Sequence, residues 1–428
     1  MKPLKIAVAG LGTVGMGVLT CLAKGGEALA QRAGRELQVV AINARSRGKD
    51  RGMVLDHIPW TDDPVALARS DADVVVELIG GEGGVALDLA KAALSAGKHF
   101  VTANKALLAT HGAALAALAE KNRSALRFEA AVAGGIPIVK AMRESFVGYG
   151  VRSVRGILNG TCNYILTRME ATGNEFADAL AEAQRLGFAE ADPELDVGGG
   201  DTAHKLALLA SLAFGTAPDL AQMSVTGIRH LTYDDIRFAH EFGYRIKLLG
   251  IARQMPHGID QRVQPAMVKI GTPLADVDGA FNAVMADVGE AGPYFFEGRG
   301  AGAAPTASAV VADIVDVARG ANGPCFGVPA AELSALTPAL PDSRRAAFYL
   351  RFAVLDMPGV LAEIAGRLAE SGVSIESMIQ RGRSPGEPVA IVMITHESPE
   401  PAVARALKVI AASDKVLGNP CMIPMETG

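Results

Sequence analysis

Hydrophobic positions along the first third of the chain follow two alternating periods. Short apolar runs at Leu4–Ala9, Gln38–Ile42, Asp73–Leu78 and His99–Thr102 read as strands. Between them, Val14–Ala30 and Gly84–Ala96 carry Ala and Leu at helical spacing. Strand and helix in alternation predict parallel βαβ units. A second region, from Gly134 to Val328, mixes helices with strands such as Ser153–Leu158 and Gln264–Ile270. Pro329, Pro338 and Pro341 then punctuate a stretch ending in Asp342-Ser343-Arg344-Arg345, which reads as a linker. Beyond it Phe348, Leu350, Phe352 and Val354 alternate with Tyr349, Arg351 and Ala353, the period of a half-buried strand. Asp356–Gly359 leads into a helix with Val360, Leu361, Ile364 and Leu368 on one face. Val373–Gln380 and Val389–Thr395 predict two strands, Pro399–Ala411 a helix and Val416–Ile423 a final strand. The order βαββαβ is that of a ferredoxin-like unit.

Composition narrows the class. A chain of 428 residues, half hydrophobic and a fifth charged, fits a soluble globular protein of two or three domains. The net charge of −5 leaves no basic footprint for nucleic acid. No apolar run approaches the ~18 residues of a membrane span. The opening Met-Lys-Pro-Leu-Lys runs straight into a strand and lacks the apolar region and cleavage site of a signal peptide. Cys21, Cys162, Cys325 and Cys421 lie far apart. The expectation is a cytoplasmic, reduced protein. The eight histidines form no His-Glu-x-x-His spacing, so a catalytic transition metal is not expected.

Gly10-Leu11-Gly12-Thr13-Val14-Gly15 follows the first strand and opens the first helix. Gly10 allows the tight turn, Gly12 lets a pyrophosphate approach the backbone, and Gly15 lets helix and strand pack closely. Unpaired N–H groups at the helix start suit phosphates. The second strand continues Val39-Val40-Ala41-Ile42-Asn43-Ala44-Arg45-Ser46-Arg47-Gly48-Lys49, with no carboxylate to bind both ribose hydroxyls. Arg45, Arg47 and Lys49 can instead pair with a 2′-phosphate. NADP(H) is therefore expected in preference to NAD(H).

The densest chemistry lies between Gly187 and Lys205. Carboxylates stand at Glu190, Asp192, Glu194, Asp196 and Asp201, and Gly198–Gly200 gives the backbone freedom to turn before a helix. Asp201 reads as its N-cap, with Lys205 four residues on along the same face. Leu208, Leu209, Leu212 and Phe214 supply an apolar stripe behind them. A lysine held by a carboxylate on a buried helix is a sensible proton donor beside a small polar substrate. The competing reading is an ordinary solvated Asp–Lys pair, worth ~0.3–0.5 kcal/mol.

Further motifs accompany these: Thr102-Ala103-Asn104-Lys105-Ala106-Leu107-Leu108-Ala109, Phe128–Ile138, Gly156–Leu166 and Gly298–Asp313. In this order and spacing they resemble homoserine dehydrogenase, the pyridine-nucleotide enzyme between aspartate semialdehyde and homoserine. The resemblance covers essentially the whole chain, and the Glu-x-Asp-Pro-x-x-Asp-x-x-Gly-x-Asp-x-x-x-Lys pattern from Glu190 to Lys205 is its most specific element. Asp356–Ala365 looks like the start of an ACT domain, the small amino-acid-sensing module. No kinase-like domain precedes the glycine loop, as in the monofunctional form.

The resemblance implies an α/β fold in three parts. A Rossmann-type parallel sheet at 1–133 binds the dinucleotide. An α+β substrate-binding and dimerisation domain spans 134–328, with a final helix around 303–320 returning to the nucleotide domain. A linker at 329–346 leads to a ferredoxin-like ACT domain at 347–428. It implies Lys205 as the acid–base residue and Lys105 as a second lysine between cofactor and substrate. Glu190, Asp196 and Asp201 correspond to substrate-binding carboxylates; Thr13, Val14, Lys105, Gly187 and Gly302 correspond to cofactor contacts. Glu129, Val132, Gly134 and Ile136 correspond to a monovalent cation site (Na+ or K+) built largely from backbone carbonyls. Asn43 with Ala44 departs from the family pattern at the end of the second strand. The implied reaction is reversible reduction of L-aspartate 4-semialdehyde to L-homoserine, on the branch toward threonine, methionine and isoleucine. L-threonine is the expected effector of the ACT unit, and a homodimer or homotetramer the expected assembly.

Two other readings stay open on sequence. Cys162 beside Asn163 could attack the aldehyde and form an acyl-enzyme, although a lone Cys is more often a small buried apolar residue. The chain could also be an amino-acid sensor whose dehydrogenase part is inactive, against which stand Lys105, Lys205 and their carboxylates.

Overall fold

A computed structural model describes residues 1–380 and 388–426. Five parallel strands, β1 (Leu4–Ala9), β2 (Leu37–Asn43), β3 (Val74–Glu77), β4 (His99–Thr102) and β5 (Leu126–Arg127), form a sheet in the order β2-β1-β3-β4-β5. Helices α1 (Thr13–Ala33), α2 (Val85–Ser95) and α3 (Lys105–Lys121) connect them. Leu4, Ile6 and Val8 point to one core with Val18 and Leu19 of α1. Ala7 and Ala9 point to the other, with Leu89 of α2 and Leu107 of α3. Burial on both faces is why these strands read as continuous apolar runs.

The second region begins with β6 (Ser153–Ile157), followed by α4 (Gly160–Thr172), α5 (Phe176–Arg185), the short α6 (Glu194–Val197), α7 (Gly200–Phe214) and α8 (Tyr233–Glu241). The chain then builds β7 (Tyr244–Met255), β8 (Gly258–Lys269), β9 (Phe281–Asp287) and β10 (Pro293–Arg299). The predicted strand Gln264–Ile270 is the second half of β8, which forms a long hairpin with β7 from Tyr244↔Lys269 to Met255↔Gly258. Helix α9 (Ala303–Ala318) then packs on α1. A Cβ at Gly17 of α1 would lie 2.7 Å from the Ala303 carbonyl oxygen. Val310 and Ile314 of α9 join the core of the first sheet.

The last unit is β11 (Phe348–Leu355), α10 (Val360–Glu370), β12 (Ile375–Gln380), β13 (Pro388–Thr395), α11 (Glu400–Ile410) and β14 (Val416–Glu426). This is the expected βαββαβ order, around a core of Phe348, Phe352, Ile364 and Val403. Its sheet is continuous with that of the second region, in the order β10-β9-β6-β7-β8-β14-β11-β13-β12. The join is a parallel pairing of Met425 with Met267 and Glu426 with Val268. Side chains reinforce it. Asp235 of α8, fully buried, accepts from Arg351 Nε at 2.6 Å and Nη2 at 2.9 Å, and from Tyr349 Oη at 3.0 Å. Arg262 of β8 lies among Asp260, Glu400 and Glu426. Among the described residues no helix is long and apolar enough to cross a membrane.

Candidate active site

The glycine loop leaves β1 and enters α1 as its spacing predicts. Gly10 has φ +94°, the left-handed region that favours glycine. A Cβ at Gly15 would run into the Gly10 carbonyl oxygen, whereas nothing lies within 4 Å of one at Gly12. The space at Gly12 and the first turn of α1, which has no side-chain cap, fit a dinucleotide pyrophosphate. Val14 faces the adjoining cleft. Arg45, Arg47 and Lys49 stand exposed beyond β2. Arg51, not singled out by sequence, ties this segment to the glycine loop. Its guanidinium donates to the carbonyls of Leu11 at 3.4 Å, Ser46 at 2.5 Å and Lys49 at 2.9 Å. It also lies over the Trp60 ring, 5.5 Å from the centroid.

A cleft of about 750 Å³ opens between the first sheet and the second region. Val14, Lys105, Gly134, Gly187, Asp196, Asp201, Lys205 and Gly302 line it. Asp201 is its centre. Oδ1 lies 3.1 Å from Lys105 Nζ, and Oδ2 accepts from Lys205 Nζ at 2.7 Å. Burial alone would raise the Asp201 carboxyl. Lys205 and Lys105, with hydrogen bonds from Lys205 and Asn159, instead hold it well below the usual carboxylate range. Asp201 is not the N-cap expected from sequence. Gly199, at φ +91°, takes that place and Asp201 sits in the first turn of α7. The glycine triplet lets the backbone alone make the turn, which releases the carboxylate for the two lysines.

Lys105 begins α3, capped by Asn104, whose Oδ1 accepts from Leu107 N at 3.1 Å. The buried Glu77 accepts from Thr102 Oγ1 at 2.6 Å and from the N–H groups of Ile79 and Gly80. Thr102 Oγ1 in turn accepts from Asn104 N at 2.9 Å. Two strand-end residues and the helix cap thus fix where Lys105 leaves the sheet. Lys205 donates a second bond, at 2.6 Å, to the Leu158 carbonyl, which also accepts from Asn282 Nδ2 at 3.0 Å. An ammonium has three N–H donors, so Lys205 retains one beyond these two bonds.

Asn159, which sequence reasoning missed, holds the acids together. Its Nδ2 donates to Asp196 Oδ1 at 2.7 Å and to Asp201 Oδ2 at 2.8 Å. Burial raises the Asp196 carboxyl, opposed by the Asn159 hydrogen bond. Glu190 is not among the cleft-lining residues. It is exposed on the rim, on the loop where Phe188 stacks on Tyr164 at 4.6 Å between centroids. The Glu190 carbonyl accepts from Gln184 Nε2 at 3.0 Å.

The expected cation-site residues form a buried turn beside the cleft. Ala133 and Gly134 both have positive φ, +53° and +56°. Glu129 spends its carboxylate on the N–H groups of Val139 and Lys140. Burial, with Asp313 nearby, pushes its carboxyl up to about 7. Backbone carbonyls are therefore what this turn can offer a cation.

Cys162 does not suit a nucleophile. It is buried, its Sγ lies 3.2 Å from the Asp196 carbonyl oxygen, and burial with Asp196 and Asp201 raises its thiol well above the ordinary value.

Comparison with known proteins agrees with this arrangement. Residues 10–129 match the family described as homoserine dehydrogenase, NAD binding domain; residues 137–315 match homoserine dehydrogenase; residues 348–412 match the ACT domain. The homoserine dehydrogenase of Neisseria gonorrhoeae is 44% identical over 434 residues, covering 100% of this chain and 99% of that protein. A crystal structure of a homoserine dehydrogenase from Thiobacillus denitrificans has a TM-score of 0.92 at 44% identity, covering 100% of this chain and 99% of that one. A hyperthermophilic archaeal homoserine dehydrogenase in complex with NADPH has a TM-score of 0.63 at 26% identity, covering 74% and 97%.

Proposed function

The chain belongs to the homoserine dehydrogenase family of NAD(P)-dependent oxidoreductases, and on that premise we propose that it reduces L-aspartate 4-semialdehyde to L-homoserine with NADPH. The observation that carries this reading is Asp201 bound by Lys105 and Lys205 in the cleft below the glycine loop. The reaction takes its hydride from the nicotinamide of NADPH when that cofactor is bound. The developing negative charge on the aldehyde oxygen falls to Lys205, whose remaining N–H stabilises it and delivers the proton. Lys105 shares the load from the nucleotide side. Asp201 orients both ammonium groups. Because its two oxygens are occupied, Asp196 and, from the rim, Glu190 are the carboxylates assigned to the substrate's α-ammonium.

Preference for NADP(H) over NAD(H) is supported by Arg45, Arg47 and Lys49 after a carboxylate-free strand end and by the archaeal relative solved with NADPH. The carbonyls of Glu129, Val132, Gly134 and Ile136 are assigned to a monovalent cation, supported by the carbonyl-only character of that turn. Feedback by L-threonine is assigned to the ACT unit near Asp356–Gly359, where α10 begins with no side-chain cap on its first N–H groups. A homodimer or homotetramer is supported by the end strands of the large sheet, β10 and β12, each with one edge unpaired among the described residues. A cytoplasmic location is supported by four cysteines that are all free.

The test is loss of NADPH absorbance with L-aspartate 4-semialdehyde, comparing wild type with Lys205→Ala. Turnover that collapses in a folded Lys205→Ala protein supports the assignment. Turnover indifferent to the substitution moves the proton donor elsewhere, and absence of turnover in the wild type favours the inactive-sensor reading.

A further inference from the structure

The side chain of Asn159 lies between the two acids of the cleft. It is 5% exposed, at the junction of β6 and α4. Its Oδ1 accepts from Cys162 N at 2.7 Å as the N-cap of α4. That bond fixes the carboxamide orientation, because a backbone N–H needs an acceptor opposite it. The Nδ2 must therefore face Asp196 and Asp201, and its two N–H groups are divided between them.

We propose that Asn159 is a positioning residue of the reaction, a neutral double donor that spaces Asp196 from Asp201 so that each can serve a different charged group. Asp201 serves the two lysines; Asp196 serves the substrate ammonium. This role rests on the reading under Proposed function. The same short segment holds the proton donor itself, since the Leu158 carbonyl accepts from Lys205. Without a donor between them, two carboxylates on one nitrogen would repel, and one would take up a proton. The charged and titratable groups around the amide are Asp196 from α6, Asp201 and Lys205 from α7, Lys105 from α3 through Asp201, and Cys162 from α4 itself.

Asn159→Asp separates this role from helix capping. The new side chain has the same shape and keeps an oxygen for the Cys162 N–H, but its second oxygen replaces the donor. At acidic pH, where the introduced carboxyl is protonated, the variant should melt within a few degrees of wild type. Its kcat/KM should fall on the order of 100-fold at alkaline pH, the size expected for two charge-assisted bonds. Relative to wild type it should recover as pH falls, because protonation of the introduced carboxylate restores one O–H donor. A variant within about three-fold of wild type at every pH, or one with a uniform loss and a parallel pH profile, overturns the proposal and leaves capping as the role of Asn159. If Asn159→Asp melts early, Asn159→Ser takes its place. That variant keeps a capping oxygen and one donor, and should lose about ten-fold with its acidic limb moved to higher pH; an unmoved limb overturns the proposal. Wild type without aspartate semialdehyde turnover removes the reaction and this role together. An active wild type with an unchanged variant removes this role alone.

Discussion

Lys105 Nζ and Asp201 Oδ1 lie 3.1 Å apart, the first at the start of a helix of the nucleotide-binding sheet and the second on a helix of the neighbouring region. The ion pair spans the cleft. Lys105→Met removes the nucleotide-side ammonium and leaves the Asp201–Lys205 pair intact. Its kcat should fall about 100- to 1,000-fold, the scale of one electrostatic contact to a developing oxyanion, with a melting temperature close to that of wild type. Steady-state kinetics with calorimetry checks both.

Two glycines of one loop should respond oppositely to alanine. Gly15→Ala forces a methyl against the Gly10 carbonyl and should destabilise the fold by about 1–3 kcal/mol. Gly12→Ala has open space around it, so stability should hold while the KM for NADPH rises sharply. Urea melts and cofactor titration distinguish the two.

Cofactor selectivity should follow the basic segment after β2. Removing Arg45 and Arg47 together should lower kcat/KM with NADPH about 10- to 100-fold more than with NADH, the worth of one or two charge-assisted bonds. The ratio for the two cofactors is the readout, so a general loss of fold does not mimic it.

Much of the nucleotide-binding part was legible because its signals are local. A glycine loop between a strand and a helix, or a strand end followed by arginines, can be read within a dozen residues or so. The acid–lysine segment was legible too, yet the N-cap assignment of Asp201 was wrong. Propensity favours Asp at a cap, but a glycine turn needs none, and the carboxylate went to charges brought from elsewhere. Asn159, Asn282 and Glu77 were not singled out. Asn159 and Glu77 also bond N–H groups two or three residues on, but the contacts that tie all three to the site, with Asp196 and Asp201, Leu158 and Thr102, are distant in sequence and have no spacing to betray them. Glu190 belongs to the most specific motif of the chain and yet stands on the rim, because a motif records order along a loop and not which way the loop faces.

Lys247 offers a pH-dependent prediction. It is buried beside Arg245, Asp278 and Glu170, and burial, then Arg245, lowers its ammonium to about 8. Below that pH both folded and unfolded chains carry the charge, and its burial costs stability throughout. Between about 8 and 10.4 the folded chain has lost the proton while the unfolded chain retains it, so stability rises with pH. Lys247→Met has no such gain. Relative to that variant, wild type should gain up to about 3 kcal/mol across this window, measured by urea denaturation at fixed pH values.

Arg351→Met should be among the most damaging changes in the ACT unit. It leaves the fully buried Asp235 carboxylate without its guanidinium and should cost about 3–5 kcal/mol. The same geometry bears on truncation. Cutting after Arg345 takes Tyr349 and Arg351 from Asp235, and Glu400 and Glu426 from Arg262, so a shortened protein should be less stable as well as unregulated. Point changes in the Asp356–Gly359 turn are the cleaner test of effector binding.

Helix α9 sets a schedule for synthesis. The five-stranded sheet is complete when Arg127 has been made, but the helix that covers α1 starts only at Ala303. Those roughly 175 residues take on the order of 10–30 s on a ribosome. For that interval the nascent sheet carries a bare apolar face where Val310 and Ile314 will later sit. The third of the protein made first is therefore among the last to close, and its exposed face is where a chaperone has most to protect.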